Sequence, residues 1–367
     1  MQFLTDILVS GLIGYLAFTN FLAAEVAILL GEEVTNVGMM ESNANLEGEA
    51  AFTPLPSFVA RIPDILLRSA SYQQAAVIAS RDDEDTDTAV ITDPKLAIVN
   101  VYCTFTSDTT IRTTTGTGFF VDKRGVILTN AHVAQFLLLA NTTALGETNC
   151  QIRSGSPASA RYNAELLYIP PAWVEAHASL IDATAPSGTG ERDYALLYVT
   201  STVGSEPLPA AFPALRVVSD LLRLNRVNTS VTAAGYPAGN KNRSTATDLL
   251  SHRATTTISE LFTYGSNYAD VIALRGSSMG EQGSSGGPVV DSTGSVIGMI
   301  TTRGNDEKDG PGSLRAITIS HINRTIEEET GLPLVQHLRG DVATRANAFN
   351  QTMTPFLTTL LTKEINQ

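Results

Sequence analysis

From about residue 95 onward the sequence predicts an all-β fold, and three observations carry that expectation. Short segments rich in Val, Ile, Thr and Tyr recur at 97–105, 112–121, 150–153, 164–169, 194–199, 230–235, 254–260, 270–275, 286–290, 295–302 and 314–320. Turn residues separate them, and the run from Pro288 to Ile297 reads as a β-hairpin around Asp291-Ser292-Thr293-Gly294. Many short strands at this spacing make a barrel or a sandwich.

Ahead of that region stand two segments of different character. Residues 7–24 form an uncharged, largely apolar run about long enough to cross a bilayer as a helix. Residues 1–30 are therefore read as a hydrophobic membrane anchor or an export signal, with a hydrophobic helix buried in protein as the third option. No Lys or Arg precedes Arg61, and Asp6 and Glu25 bracket the run, so it lacks the basic flank of a signal peptide and gives no topology by charge. Residues 31–94 read as a linker: Gly31 to Ala51 is rich in Glu, Asn and Gly, and 57–80 places Phe58, Ile62, Ile65, Leu66 and Leu67 at helical spacing for an amphipathic helix. The acidic run from Asp82 to Asp87 is a solvated hinge rather than a calcium site.

Composition excludes several classes of function. A formal net charge of -13 would repel nucleic-acid phosphates. His177, His252, His321 and His337 fall at no metal-ligand spacing, so neither a metal nor a cofactor is expected. The two cysteines, Cys103 and Cys150, lie on strand-like segments.

The chemistry concentrates in Gly283-Ser284-Ser285-Gly286-Gly287-Pro288. Glycines around Ser285 can expose its hydroxyl and aim backbone N–H groups at an oxyanion. A serine is a poor nucleophile without a base and a group to orient that base. Upstream, Gly116-Thr117-Gly118-Phe119-Phe120-Val121 leads through Gly125-Val126-Ile127-Leu128 into Thr129-Asn130-Ala131-His132-Val133, and Arg192-Asp193-Tyr194-Ala195-Leu196-Leu197 follows. The order is His, Asp, Ser. Gly283-x-Ser285-x-Gly287 also satisfies the nucleophile elbow of α/β-hydrolases, but that fold places acid and histidine after the serine and a helix directly behind it. A hairpin follows Ser285 instead.

These segments together resemble the chymotrypsin-like serine endopeptidases, nearest to the bacterial trypsin-like group that includes the HtrA-type proteases. Ala234-Gly235-Tyr236-Pro237-Ala238-Gly239 and Val296-Ile297-Gly298-Met299-Ile300-Thr301-Thr302 extend the resemblance to roughly residues 95–325. It implies two six-stranded Greek-key β-barrels with the active site between them, spanning 95–330. It implies His132 as general base, Asp193 as its orienting acid and Ser285 as nucleophile. The N–H groups of Gly283 and Ser285 would form the oxyanion hole, and protein or peptide substrates would be cleaved. Met279, six residues before Ser285, falls at the base of the primary specificity pocket, with Gln282 nearby. Thr301, Thr302 and Arg303 form the strand along which a substrate would add. First and fourth strands of such a barrel can be neighbours, so Cys103 and Cys150 are a candidate disulfide, and two free thiols are equally compatible.

Two departures matter. Ser284 stands where digestive members carry an aspartate that pairs with a new N-terminus, so activation by that route is not expected. Residues 331–367, read as a helical C-terminal tail behind a closing helix that starts near His321, are too few for a PDZ domain. The expectation is thus a membrane-anchored or exported serine endopeptidase, its catalytic domain outside the cytoplasm. The rival is a catalytically inactive protease-like binding or scaffold protein at a membrane.

Overall fold

The structure is a computed structural model and describes residues 91–106, 111–140, 142–143, 146–181, 189–220, 226–239, 248–265 and 267–365. The expectations for the apolar run at 7–24, the linker, the helix at 57–80 and the acidic run lie outside the described residues.

Twelve strands close into two barrels of six, every pairing within them antiparallel. The first contains β1 (Ile98–Thr106), β2 (Ile111–Asp122), β3 (Val126–Thr129), β4 (Glu147–Ser154), β5 (Ser159–Tyr168) and β6 (Ala195–Thr202) in the order β1-β2-β3-β6-β5-β4. The second repeats that order with β7 (Ser230–Gly235), β8 (His252–Phe262), β9 (Val271–Leu274), β10 (Pro288–Val290), β11 (Val296–Arg303) and β12 (Leu314–Thr318). Closure matters because an open sheet would present unpaired N–H and C=O groups along its edges. At the start of β5 composition set the strand bound too narrowly, because the omitted residues face water. The first half of β5, Ser159–Asn163, is mostly exposed and polar, whereas Leu166, Leu167 and Tyr168 are buried.

β1 and β4 are neighbours, with Cys103 directly opposite Cys150. A disulfide joins them across a sequence separation of 47. In the chain-entropy account a loop of that size stabilises by about 4 kcal/mol.

Two apolar cores result. The smaller lies inside the second barrel, among Val231, Ile258, Ile272, Met279, Ile297 and Ile300. The larger runs from the first barrel into helices that follow the second. Of these, α4 (Ile319–Thr330) starts at Thr318, whose hydroxyl accepts the His321 N–H at 3.0 Å. Three more follow: α5 (Leu334–His337), α6 (Val342–Thr352) and α7 (Thr354–Ile365). Earlier in the chain, α1 (Ala131–Ala134) carries His132, α2 (Pro171–His177) follows β5, and α3 (Asp306–Asp309) follows β11.

The sequence reads residues after 331 as weakly helical, and the structure docks them onto the first barrel. Asn350 Nδ2 donates to the Leu166 carbonyl at 2.7 Å and Thr358 Oγ1 to the Leu138 carbonyl at 2.7 Å. From the barrel side, the Arg124 guanidinium donates to the carbonyls of Leu338 and Gly340. Among the described residues no helix is long and apolar enough to cross a membrane.

Candidate active site

His132 sits on a single helical turn at the end of β3. Asn130 occupies the N-cap position, yet its side chain makes no cap bond there. Its Nδ2 instead donates to the Asp193 carbonyl at 2.9 Å, which draws the segment before β6 against α1. The Asp193 carboxylate then meets His132 twice. Its Oδ1 accepts the His132 backbone N–H at 2.9 Å, and its Oδ2 lies 2.7 Å from Nδ1 of the ring. A third donor comes from the other barrel, where Thr301 Oγ1 reaches the same Oδ2 at 2.8 Å.

The Asp193 backbone is held from both sides. Arg192 adopts φ 56°, an uncommon conformation for a residue with a side chain. Its guanidinium pairs with Glu329 at 3.1 Å on α4, and on the other side of Asp193 the Tyr194 hydroxyl accepts from Thr325 on the same helix at 3.0 Å.

The side chains of His132 and Asp193 are 21% and 6% exposed. Burial pulls the histidine down, but the carboxylate, by charge and hydrogen bond, lifts it above its ordinary value. Burial would likewise raise Asp193. The His132 charge and the bonds from His132 and Thr301 outweigh it, holding the acid below the usual carboxylate range.

Ser285 lies on two consecutive tight turns. Ser284 N–H donates to the Glu281 carbonyl at 3.3 Å and Gly287 N–H to the Ser284 carbonyl at 3.0 Å. Their third residues, Gly283 and Gly286, have φ 94° and 85°, which marks both as type II turns. No side chain fits at either point, because a Cβ on Gly283 would lie 2.4 Å from the Tyr236 carbonyl and one on Gly286 1.9 Å from the Thr117 carbonyl.

The four carbonyls from Gln282 to Ser285 are all held. Gln282 O accepts from Ala238 N–H at 2.6 Å, Gly283 O from Thr117 Oγ1 at 2.6 Å, Ser284 O from Gly287 N–H and Ser285 O from Thr117 N–H at 2.7 Å. Across a planar trans peptide the N–H points opposite to the C=O, so fixing Gln282 O and Ser284 O also fixes the N–H groups of Gly283 and Ser285. Neither of these donates to any acceptor among the described residues. Both are therefore available to an acceptor from outside the described residues. Ser285 is partly exposed, whereas Ser284 is 1% exposed and its hydroxyl has no partner among the described residues, so backbone groups hold the loop at that position.

Beyond Met299, β11 loses its β10 neighbour. Ile300 still exchanges bonds with Gly286 and Gly287, at 2.8 Å each, and Thr301, Thr302 and Arg303 then continue along the cleft with β12 on their other side. Thr302 is half-buried and Arg303 exposed, its guanidinium donating to the Gly280 carbonyl at 3.1 Å. Gln282, three residues before Ser285, is exposed.

Met279 requires correction. It is 0% exposed and packed in the core of the second barrel, so it offers no surface at a pocket base. Counting back from Ser285 fixes its distance along the chain but not the direction of its side chain. Thr301, expected only as substrate-strand backbone, is 3% exposed with its hydroxyl on Asp193. Asn130 and Thr117 also escaped the sequence reading, since polar residues within quoted motifs give no sign of a partner remote in sequence. Among the described residues no group of three or more His, Cys, Asp or Glu converges to hold a metal.

The family model described as "Trypsin-like peptidase domain" matches residues 116–299, from the start of the Gly-Thr-Gly segment to the middle of β11. An uncharacterized protein, y4bJ, of Sinorhizobium fredii is 26% identical over 188 residues, covering 51% of this chain and 22% of the relative. The match thus spans about a fifth of that relative's length. Among solved structures, the Rv3671c protease of M. tuberculosis in its active form is 18% identical with a TM-score of 0.40, covering 80% of this chain and 95% of the other. Its inactive form is 19% identical with a TM-score of 0.39, covering 64% and 89%.

Proposed function

The chain belongs to the trypsin-like peptidase family, and on that premise we propose that it is a serine endopeptidase acting through His132, Asp193 and Ser285. The observation that carries this reading is the pair of N–H groups at Gly283 and Ser285, fixed in direction by the carbonyls around them and left without an acceptor among the described residues.

His132 Nε2 takes the proton of Ser285 Oγ as the oxygen attacks the scissile carbonyl. Asp193 keeps Nδ1 protonated and stabilises the imidazolium that forms. The two N–H groups receive the oxyanion, each such donor being worth about 3 kcal/mol in the transition state. His132 then returns its proton to the leaving amine, and water, deprotonated by the same histidine, releases the acyl group from Ser285. Thr301 to Arg303 offer a substrate a strand edge beside the nucleophile.

Oxidising surroundings suit a protein with its two cysteines paired, and the apolar run at 7–24 suits attachment or export. We place the catalytic domain outside the cytoplasm on those grounds.

One observation favours the rival scaffold reading. Among the hydrogen bonds of the described residues none joins His132 to Ser285. Catalytic bonds are commonly long before substrate binds, which keeps the enzyme reading ahead. A fluorophosphonate probe applied to the full chain beside Ser285→Ala separates the two. Labelling of Ser285 alone is expected, and a folded protein that stays unlabelled removes the enzyme reading.

A further inference from the structure

Thr117 lies on β2 of the first barrel, yet three of its bonds reach the second half of the chain. Its N–H donates to Ser285 O at 2.7 Å, its hydroxyl donates to Gly283 O at 2.6 Å, and that same hydroxyl accepts the Tyr236 N–H at 2.9 Å. Its own carbonyl accepts from Thr129 Oγ1 at 2.7 Å, three residues before His132. The side chain is 0% exposed, so no water stands in for any of these partners.

Resting on the protease reading above, we propose that the Thr117 hydroxyl is a positioning group for the oxyanion hole. It touches no reacting atom. Its hydrogen bond to Gly283 O fixes the peptide that follows Gly283, while Ala238 fixes the one that precedes it. Gly283 is the residue best able to rotate, because glycine visits both signs of φ readily. With both flanking peptides pinned, its N–H cannot swing away from the position where charge develops. A transition-state donor is valuable in proportion to how little it reorganises on demand. The Thr129 bond passes the constraint to the His132 segment, so one threonine ties the base-bearing segment to the nucleophile loop.

Thr117→Val keeps the shape and leaves Gly283 O and Tyr236 N–H unpaired, whereas Thr117→Ser keeps the hydroxyl. The full chain and both variants are compared for kcat, KM, fluorophosphonate labelling rate and Tm on a peptide substrate that the wild type cleaves. The expected result is a kcat about 10- to 100-fold lower in Thr117→Val with KM unchanged and labelling slowed alike, and Thr117→Ser within about 3-fold of wild type. If Thr117→Val does not fold, Thr117→Cys, similar in size and a weak donor, is held to the same criteria. A folded variant lacking the hydroxyl that keeps wild-type kcat, or one whose loss follows only its unfolded fraction, overturns the proposal. Failure of the wild type itself to label removes the protease reading, and this inference with it.

Discussion

Thr301 Oγ1 donates to Asp193 Oδ2 at 2.8 Å, so a residue of the second barrel completes the environment of a carboxylate carried by the first. The acid that orients His132 is therefore defined only when the two barrels are packed together. Thr301→Val should lower kcat/KM by about 10- to 100-fold, the range for losing a hydrogen bond to a charged group, with Thr301→Ser near wild type. Steady-state kinetics on the three proteins checks it. Equal rates for Val and Ser would show that the hydroxyl is idle.

The pH profile follows from the pair at 2.7 Å. His132 must be unprotonated to accept the Ser285 proton, and Asp193 lifts its pKa above the ordinary 6.5. The rate constant kcat/KM is thus expected to rise with pH through a midpoint above 6.5. Asp193→Asn removes the lifting charge and leaves burial, so the midpoint should fall below 6.5 while kcat drops by about 10⁴. An Asn variant whose midpoint moved upward would contradict this account.

Gly283→Ala tests the loop directly. A Cβ there would stand 2.4 Å from the Tyr236 carbonyl, at a φ of 94° that alanine resists. The turn should open and the N–H leave its position, with a loss in kcat of about 10² to 10³. Circular dichroism should show both barrels intact, and kinetics the loss.

Acid should destabilise the fold through a group remote from the chemistry. His337 is 0% exposed, and burial, with the nearby Arg345 charge, lowers its pKa from 6.5 to about 3. Between those values the unfolded chain binds a proton that the folded chain refuses, so stability is lost as pH falls from 6.5 toward 3. The slope is about 1.4 kcal/mol per pH unit, or about 2 kcal/mol by pH 5. Melting curves at pH 7 and pH 5 should show a smaller fall for His337→Gln than for the wild type.

How far the sequence reveals this site depends on what each residue does. His132, Asp193 and Ser285 stand out as candidates because their types, order and flanking glycines fit one kind of chemistry and few others, and the structure sets the first two against each other at 2.7 Å. The barrels are legible because short β-branched segments recur with turns between them. Thr301 and Thr117 are not, since threonine is ordinary strand composition and the partner of a hydroxyl, 108 residues away for Thr301 and 166 for Thr117, leaves no local trace. Met279 shows the opposite failure. Its place in the chain suggested a pocket, but it lies on a turn closed by the Gly280 N–H on the Ser277 carbonyl, and its side chain joins the core of the second barrel. The last helices carry modest apolar patterning, and contacts such as their bonds to the Leu166 and Leu138 carbonyls reveal what that patterning covers.

That covering has a consequence for how the molecule is made. Synthesis delivers the first barrel, then the second, and only afterwards α6 and α7, whose bonds to Leu166 and Leu138 fall on β5 and on the segment just past His132. Until the ribosome has passed residue 361, the apolar surface that Leu357 and Leu361 will seal stays open to water. A nascent or prematurely stopped chain therefore displays a sticky flank beside its own base-bearing segment, of the kind that chaperones hold and quality-control proteases remove.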